Sequence, residues 1–327
     1  MQILSGQTKN LGGGLTVQRL LPALGRQAVG PFLFMDHFGP VAVEPSAEMD
    51  VRPHPHVGLA TVTYLFDGAL MHRDSLGCTQ RIIPGDINWM TAGRGIVHSE
   101  RRPDDLRQVR HINHGLQLWV ALPQAFEACP PSFVHAPANT LPHVDVGQAN
   151  IKVLVGGAFG QQSPVETFTQ TIYLDVELPA GGSFDLPALA PELAIYPVDS
   201  AIWVGDQVVE PRTLAVLPAN TVCKLRSQTA CRLMVLGGES LDGPRFMWWN
   251  FVASRKETLA MAAQDWSGHV FGYVVDETEM APLPERRTLA ERRKTARQAD
   301  LAAERRSKVP KSKATVSTPT RPPASEK

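Results

Sequence analysis

The chain has 327 residues, of which 43% are hydrophobic and 20% charged, with 26 Gly, 27 Pro and a formal net charge of zero. It reads as a soluble, turn-rich globular protein long enough for two domains, and no apolar run approaches the roughly 20 residues that a membrane helix needs. The balanced charge hides an asymmetry: Pro284 to Lys327 carries 13 Lys and Arg against 5 Asp and Glu, so residues 1–283 hold 19 against 27. The body is acidic and the tail basic.

The start, MQILSGQTKN, lacks the basic, apolar and cleavage regions of a signal peptide. Cys78, Cys129, Cys223 and Cys231 have neither C-x-x-C pairing nor framework spacing, which fits reduced thiols and a cytoplasmic address.

In chain order, the first informative segment is His54-Pro55-His56, which leads into the β-patterned run LATVTYLFDG (59–68). A hairpin around HRDSLG (72–77) follows, then PGDINWM (84–90), a tight turn running into a strand. The stretch TAGRGIVHSE ends in His98-Ser99-Glu100, and LQLWVALP (116–123) is a further strand. Gly147 to Asn150 reads as a seam. Beyond it come IKVLVGGAFG (151–160), TIYLDVELPAGG (171–182), SAIWVGDQ (200–207) and RLMVLGGE (232–239). Many short strands closed by Gly, Pro, Asn or Asp mean an antiparallel sandwich or barrel, and the run is too long for one barrel.

Helical patterning is sparse before SRKETLAMAAQDW (254–266), where Leu259, Met261, Ala262 and Trp266 are expected to cover one face. The tail begins with helix-forming composition and ends Lys/Ser/Thr/Pro-rich without aromatics, so it is expected to be partly disordered. The resulting division is 1–146, 147–283 and 284–327. The fold class is all-β, with two jelly-roll barrels, a few short helices and a basic tail.

The two histidine-containing pairs carry the chemistry. Residues two apart on a strand point to one face, so neighbouring strands bearing His54, His56, His98 and Glu100 would converge three imidazoles and a carboxylate on one point. A cupin-type jelly roll supplies an H-x-H pair, a P-G turn and a later histidine in this order. A lone H-x-H pair is more often solvated or hydrogen-bonded than metallated; the second pair and the turn between them raise the metal reading above it. Imidazoles with a hard carboxylate and no thiolate suit a redox-capable divalent ion, and four ligands leave open coordination positions. His72 has no second ligand two residues away and is expected to bond the backbone or Asp74. His37, His111, His114, His135, His143 and His269 have no paired spacing either. No histidine lies between His143 and His269, so the second barrel is expected to be metal-free. Its role would be to pack against the first and wall one side of the pocket, with Trp248 and Trp249 as wall or core aromatics.

The strings PFLFMDHFGP (31–40), HPHVGLATVTYLFDG (54–68), HRDSLG (72–77), PGDINWMTAGRGIVHSE (84–100) and HGLQLWVALP (114–123) resemble the pirin family of bicupins, in order and spacing. GGESLDGPRFMWWNFVASRKE (237–257) resembles a later family segment. The resemblance implies two stacked cupin domains, the first binding iron through His54, His56, His98 and Glu100. It implies one divalent metal per chain, Fe(II) first, with Mn, Ni, Co, Cu or Zn compatible. Many pirins read HPHRGFET where this chain has Val57 and Ala60, so the pocket rim loses a cation and an anion while the four ligands stay.

Two functions follow from the resemblance. The leading one is O₂-dependent oxidation of a flavonol-like or other enol-type aromatic, as in quercetin 2,3-dioxygenase-like pirins. Glu100 would then be both ligand and catalytic base, and Pro103, Asp104, Met71 and Met90 would shape the entrance. The alternative is an iron-dependent redox-sensing regulator acting on a protein partner. The acidic body argues against specific nucleic-acid binding by the barrels, the basic tail reads as a solvated run, and a monomer without membrane association is expected.

Overall fold

The computed structural model describes residues 1–11 and 14–285; the helix-forming and Lys/Ser/Thr/Pro-rich stretches expected beyond Glu285 lie outside the described residues. Residues 1–283 form one compact unit. The unit is built from two jelly-roll barrels, each made of a seven-stranded and a four-stranded antiparallel sheet.

In the first barrel the seven-stranded sheet runs, in spatial order, Ser132–Ala136, Ile87–Thr91, Leu59–Asp67, His111–Ala121, Phe32–Val43, Thr16–Leu21 and Gln7–Asn10. Its four-stranded partner is Val51–His56, Ile96–Arg101, Leu70–Asp74 and Thr79–Ile82. His54 and His56 therefore sit on their own strand, in the smaller sheet, rather than at the entry to Leu59–Asp67. Val57 and Gly58 form the corner between the two sheets. Gly58 has φ +73°, and a Cβ there would lie 2.0 Å from the Val252 carbonyl oxygen, so only glycine lets the chain turn and the later segment close against it.

The second barrel repeats the plan, with one exchange of chain at each end. The initial strand Gln2–Ser5 pairs with Thr213–Val216 and so belongs to the second barrel's large sheet. The strands His143–Val146 and Ala149–Val155, either side of Gly147, form a hairpin in that same sheet. At the other end, the hairpin Phe246–Trp248/Phe251–Ala253 and the helix Lys256–Ser267 return to the first barrel. There Phe251, Leu259, Ala262 and Trp266 pack against Val57 and Val97. Trp248 and Trp249 pack on the same cluster, half-buried. The helix buries Leu259, Ala262, Ala263 and Trp266, while Met261 is 58% exposed. Met261 is thus not on the buried face: at 3.6 residues per turn it lies on the other side from Leu259 and Ala263.

Strand alternation explains how the barrels meet. On Leu59–Asp67, Ala60, Val62 and Tyr64 face outward into an apolar cluster with Leu116, Leu118 and Val120, and across to Tyr173, Tyr196, Leu214, Met234 and Leu236 of the second barrel. The large sheets thus pack face to face. The opposite faces differ in kind. The second barrel's interior is filled by Ile151, Val153, Leu174, Val176, Phe184, Ile202 and Leu225. Inside the first, Thr63 bonds Gln117 and Glu100, and Arg19 forms a bidentate pair with Asp36 at 2.8 Å. One barrel is a packed apolar core, whereas its twin sets a polar belt of Thr63, Gln117, Asp36 and Arg19 between apolar clusters around Leu33, Phe34 and Trp119 and around Val17, Phe38 and Leu65.

Candidate metal centre

Register between two strands of the small sheet builds the centre. Val51–His56 and Ile96–Arg101 run antiparallel with Ile96 opposite His56 and His98 opposite His54. Beyond that pair the register slips, so that Glu100 faces Val51. The extra residue lies on the Val51–His56 strand, which carries Pro53 in its middle; proline has no N–H to give to a ladder and is accommodated at such a bulge. His54 and His56 share a face because they are two apart, and His98 projects beside them.

The result is a triad whose ligand nitrogens all lie within 4.8 Å of one another. Ring centroids are 4.4 Å apart for His54 and His98, 4.9 Å for His54 and His56, and 5.0 Å for His56 and His98. Each Nδ1 has a hydrogen-bond partner: the Arg52 carbonyl for His54 at 2.9 Å, the Asn250 carbonyl for His56 at 3.2 Å, and His72 Nδ1 for His98 at 3.4 Å. An Nδ1–H committed to an acceptor leaves Nε2 as a lone pair. His98 Nε2 is buried with no protein partner, the condition of a nitrogen shaped to bind something else. Three neutral imidazoles so disposed fit a divalent ion of the Zn, Cu, Fe or Ni kind, each ligand being held from behind.

Burial sets the electrostatics. It pushes the His54 pKa down to about 4 despite the Arg52 hydrogen bond, and pushes His56 and His98 well below the ordinary imidazole value, their neighbouring histidines adding to the effect. The triad is neutral at physiological pH without any metal, as ligation requires.

Of the expected site residues, the structure brings His54, His56 and His98 together. The Glu100 carboxylate is outside the group of mutually close ligand atoms; its Oε1 accepts the Thr63 hydroxyl at 3.1 Å, and the residue stands cross-strand from His72. Burial raises the Glu100 pKa, opposed by His72 and by the Thr63 bond. His72 bonds Asp74 as expected, Nε2 to Oδ2 at 2.9 Å. Among the residues read as entrance, Met90 packs with Ala92 and Ile96, Pro103 is buried and Asp104 lies on an exposed turn bonded to Arg107.

Three contributors escaped the sequence reading. The carbonyls of Arg52 and Asn250 have no side-chain signature, and Asn250 is 194 residues from His56. The contact of His72 with His98 was visible only as an H-x-D pair on a strand, with the same spacing as the H-x-H and H-x-E pairs. Outside the barrel, Glu277 accepts bonds from Ser99 and Arg101 on the back of the ligand strand, and Ala281 N–H donates to the Pro53 carbonyl at 2.8 Å. Among the described residues no helix is long and apolar enough to cross a membrane.

Residues 14–120 match the family model of pirin, and residues 173–272 match that of the pirin C-terminal cupin domain. A pirin-like protein of Caulobacter vibrioides is 42% identical over 289 residues, covering 86% of this chain and 99% of its own. A Pseudomonas aeruginosa protein named as a candidate quercetin 2,3-dioxygenase is 35% identical, over 81% of this chain and 83% of its own. In three dimensions the chain is similar to the crystal structure of a quercetin 2,3-dioxygenase from Acinetobacter baumannii, with TM-score 0.80 and 32% identity over 88% of this chain and 96% of that one.

Proposed function

Because the chain belongs to the pirin family, with its paired cupin barrels, we propose that it is a metal-dependent oxidoreductase. The proposed reaction is the O₂-dependent dioxygenation of a flavonol-like or other enol-type aromatic. The observation that carries this reading is the buried imidazole triad of His54, His56 and His98, in a barrel that carries a polar belt of Thr63, Gln117, Asp36 and Arg19 while its twin is packed with aliphatic side chains. The names of the Pseudomonas and Acinetobacter relatives support the choice of substrate class. Fe(II) is the proposed ion, with Glu100 as the fourth ligand alongside the triad. A divalent ion held there would polarise a bound enol oxygen and make its hydroxyl more acidic.

The chain's own residues handle the proton. Glu100 would take it from the substrate hydroxyl at a carboxylate oxygen, and burial, by raising its pKa, would make it a better base than a solvated glutamate. Thr63 Oγ1 has one proton and two acceptors within reach, Glu100 Oε1 at 3.1 Å and Gln117 Oε1 at 3.0 Å. It donates to Glu100 while that residue is ionised. Once Glu100 carries the proton, the carboxyl donates to Thr63 and Thr63 turns to Gln117, so the Thr63 hydroxyl keeps an acceptor in both states. Trp119, edge-on to His56 at 5.2 Å and stacked on Phe34 at 4.1 Å, excludes water from one side of the triad.

The test is quercetin decay, followed at its visible band under air and under nitrogen, with wild type, Glu100→Gln and metal-stripped protein side by side. Turnover is expected only with metal and O₂, falling by about 10²-fold in Glu100→Gln, the loss usual for a general base. Equal decay under nitrogen or in stripped protein overturns dioxygenation.

A further inference from the structure

The three imidazoles of the triad are alike in chemistry and unlike in support. His54 and His56 rest their Nδ1 atoms on backbone carbonyls. His98 instead meets a side chain, His72, at 3.4 Å between Nδ1 atoms. His72 in turn holds Asp74, Nε2 to Oδ2 at 2.9 Å. Both belong to Leu70–Asp74, the strand paired with the ligand strand on its other side, with Asp74 opposite His98 and His72 opposite Glu100.

Proton counting fixes the direction of this chain of contacts. Asp74 Oδ1 already accepts the amides of Leu76 and Cys78 at 2.9 and 3.1 Å. Its Oδ2 faces His72 Nε2, which must therefore carry the hydrogen. With His72 neutral, that leaves a lone pair on its Nδ1, so the proton between the two histidines belongs to His98 Nδ1, and His98 Nε2 is left bare toward His54 and His56. A buried carboxylate–imidazole pair is not needed for the turn, which Asp74 satisfies alone, nor for packing on Phe133, where any flat ring would stack as His72 does at 4.2 Å and 15°. Its side chains are 5% and 0% exposed. Burying such a pair costs stability unless its remaining hydrogen-bonding groups are satisfied. For His72 Nδ1 that partner is His98.

We propose that His72 and Asp74 are positioning residues for the metal centre: Asp74 sets the tautomer of His72, and His72 sets the tautomer and ring orientation of His98. This rests on the metal reading of the triad. It assigns His98 as the ligand whose donor strength is tuned by side chains, in contrast with two ligands fixed by the backbone.

The experiment uses the full chain loaded with Co(II) and compares wild type, His72→Phe, His72→Gln, Asp74→Asn and His98→Ala. Affinity is measured by chelator competition, and the ligand Nδ1–H protons by hyperfine-shifted proton NMR. His72→Phe keeps the ring on Phe133 and removes the acceptor. Asp74→Asn keeps an oxygen for the turn amides but turns an N–H₂ toward His72 Nε2, forcing His72 into the opposed tautomer. Both are expected to weaken Co(II) binding by about 10- to 100-fold, the usual effect of removing a ligand's supporting partner. Both should broaden or abolish one exchangeable ligand signal, with one ion per chain still bound at saturation. His72→Gln, whose amide oxygen can accept the His98 proton, should recover most of the affinity and the signal. Affinity within about twofold of wild type in both His72→Phe and Asp74→Asn overturns the proposal, as does the survival of every ligand N–H signal. Loss of saturable binding in His72→Phe, equal to His98→Ala, makes His72 a ligand and overturns it too. A wild type that takes up no Co(II) defeats the metal reading itself, and that failure appears before any variant is compared.

Discussion

Pro53 shows how one side chain sets the geometry of a site it does not enter. The bulge beside it keeps His54 opposite His98 and puts Glu100 across from Val51, and the Glu100 carboxylate accepts the Thr63 hydroxyl. The period of two made His54, His56 and His98 legible as one cluster from the sequence; the slip beyond His98 depends on a register between strands, which no local pattern encodes. A second residue-scale feature lies between the barrels, where His37 bonds His114 at 2.7 Å and also reaches Tyr196. Burial and the neighbouring His114 push His37 down to about 3. An unfolded histidine takes its proton near pH 6.5, so between about 6.5 and 3 the unfolded chain binds more protons. The stability this contributes is complete above about pH 6.5 and drains away as pH falls toward 3. Burial raises the Asp36 and Asp175 carboxyls, which act in the opposite sense, so the test is a difference. Thermal unfolding of metal-free wild type and His37→Gln between pH 7.5 and 4.5 should show the shallower acid loss in the variant. Parallel curves would mean that His37 does not titrate on unfolding.

At the scale of elements, the returning C-terminal segment is the part that the sequence reading placed least well. The helix was evident from its pattern, but its buried stripe follows 259, 262, 263 and 266, and its docking on the back of the ligand strands rests on tertiary contact alone. Leu259→Ala should lower stability by about 2–3 kcal/mol, as for a buried leucine, and Met261→Ala by no more than about 0.5 kcal/mol, both read from urea midpoints. Equal costs would put Met261 back on the packed face. The strap after the helix reaches the centre more closely, since Glu277 holds Ser99, between His98 and Glu100, together with Arg101. Glu277→Ala is expected to cost about 2 kcal/mol, the range for hydrogen bonds to a charged group, and to speed hydrogen exchange at 96–101 ahead of the inter-barrel strands. Unchanged exchange there would show that the ligand strand does not lean on the strap.

The unit of residues 1–283 is laced at both ends: Gln2–Ser5 lies in the second barrel's sheet, and residues 246–283 return to the first. Strand count and turn spacing made two barrels readable, whereas this exchange leaves no mark on composition. The apolar cluster between the sheets includes Leu20, Tyr64 and Leu116 from one side and Tyr173, Tyr196 and Leu236 from the other, so neither barrel has a solvated outer face to present alone. Fragments 1–146 and 147–283 made separately should therefore bind a hydrophobic dye and lack a cooperative thermal transition; a cooperative fold in either would mean that the interface is dispensable.

The division of labour between a barrel with a polar belt and a packed apolar one bears most directly on function, and metal content tests it. Protein purified without an affinity tag, loaded with Fe(II) or Ni(II), dialysed and analysed for metal, should hold one ion per chain, and His56→Ala and His98→Ala should hold almost none. Two tightly bound equivalents, or an undiminished one in both variants, would contradict the account.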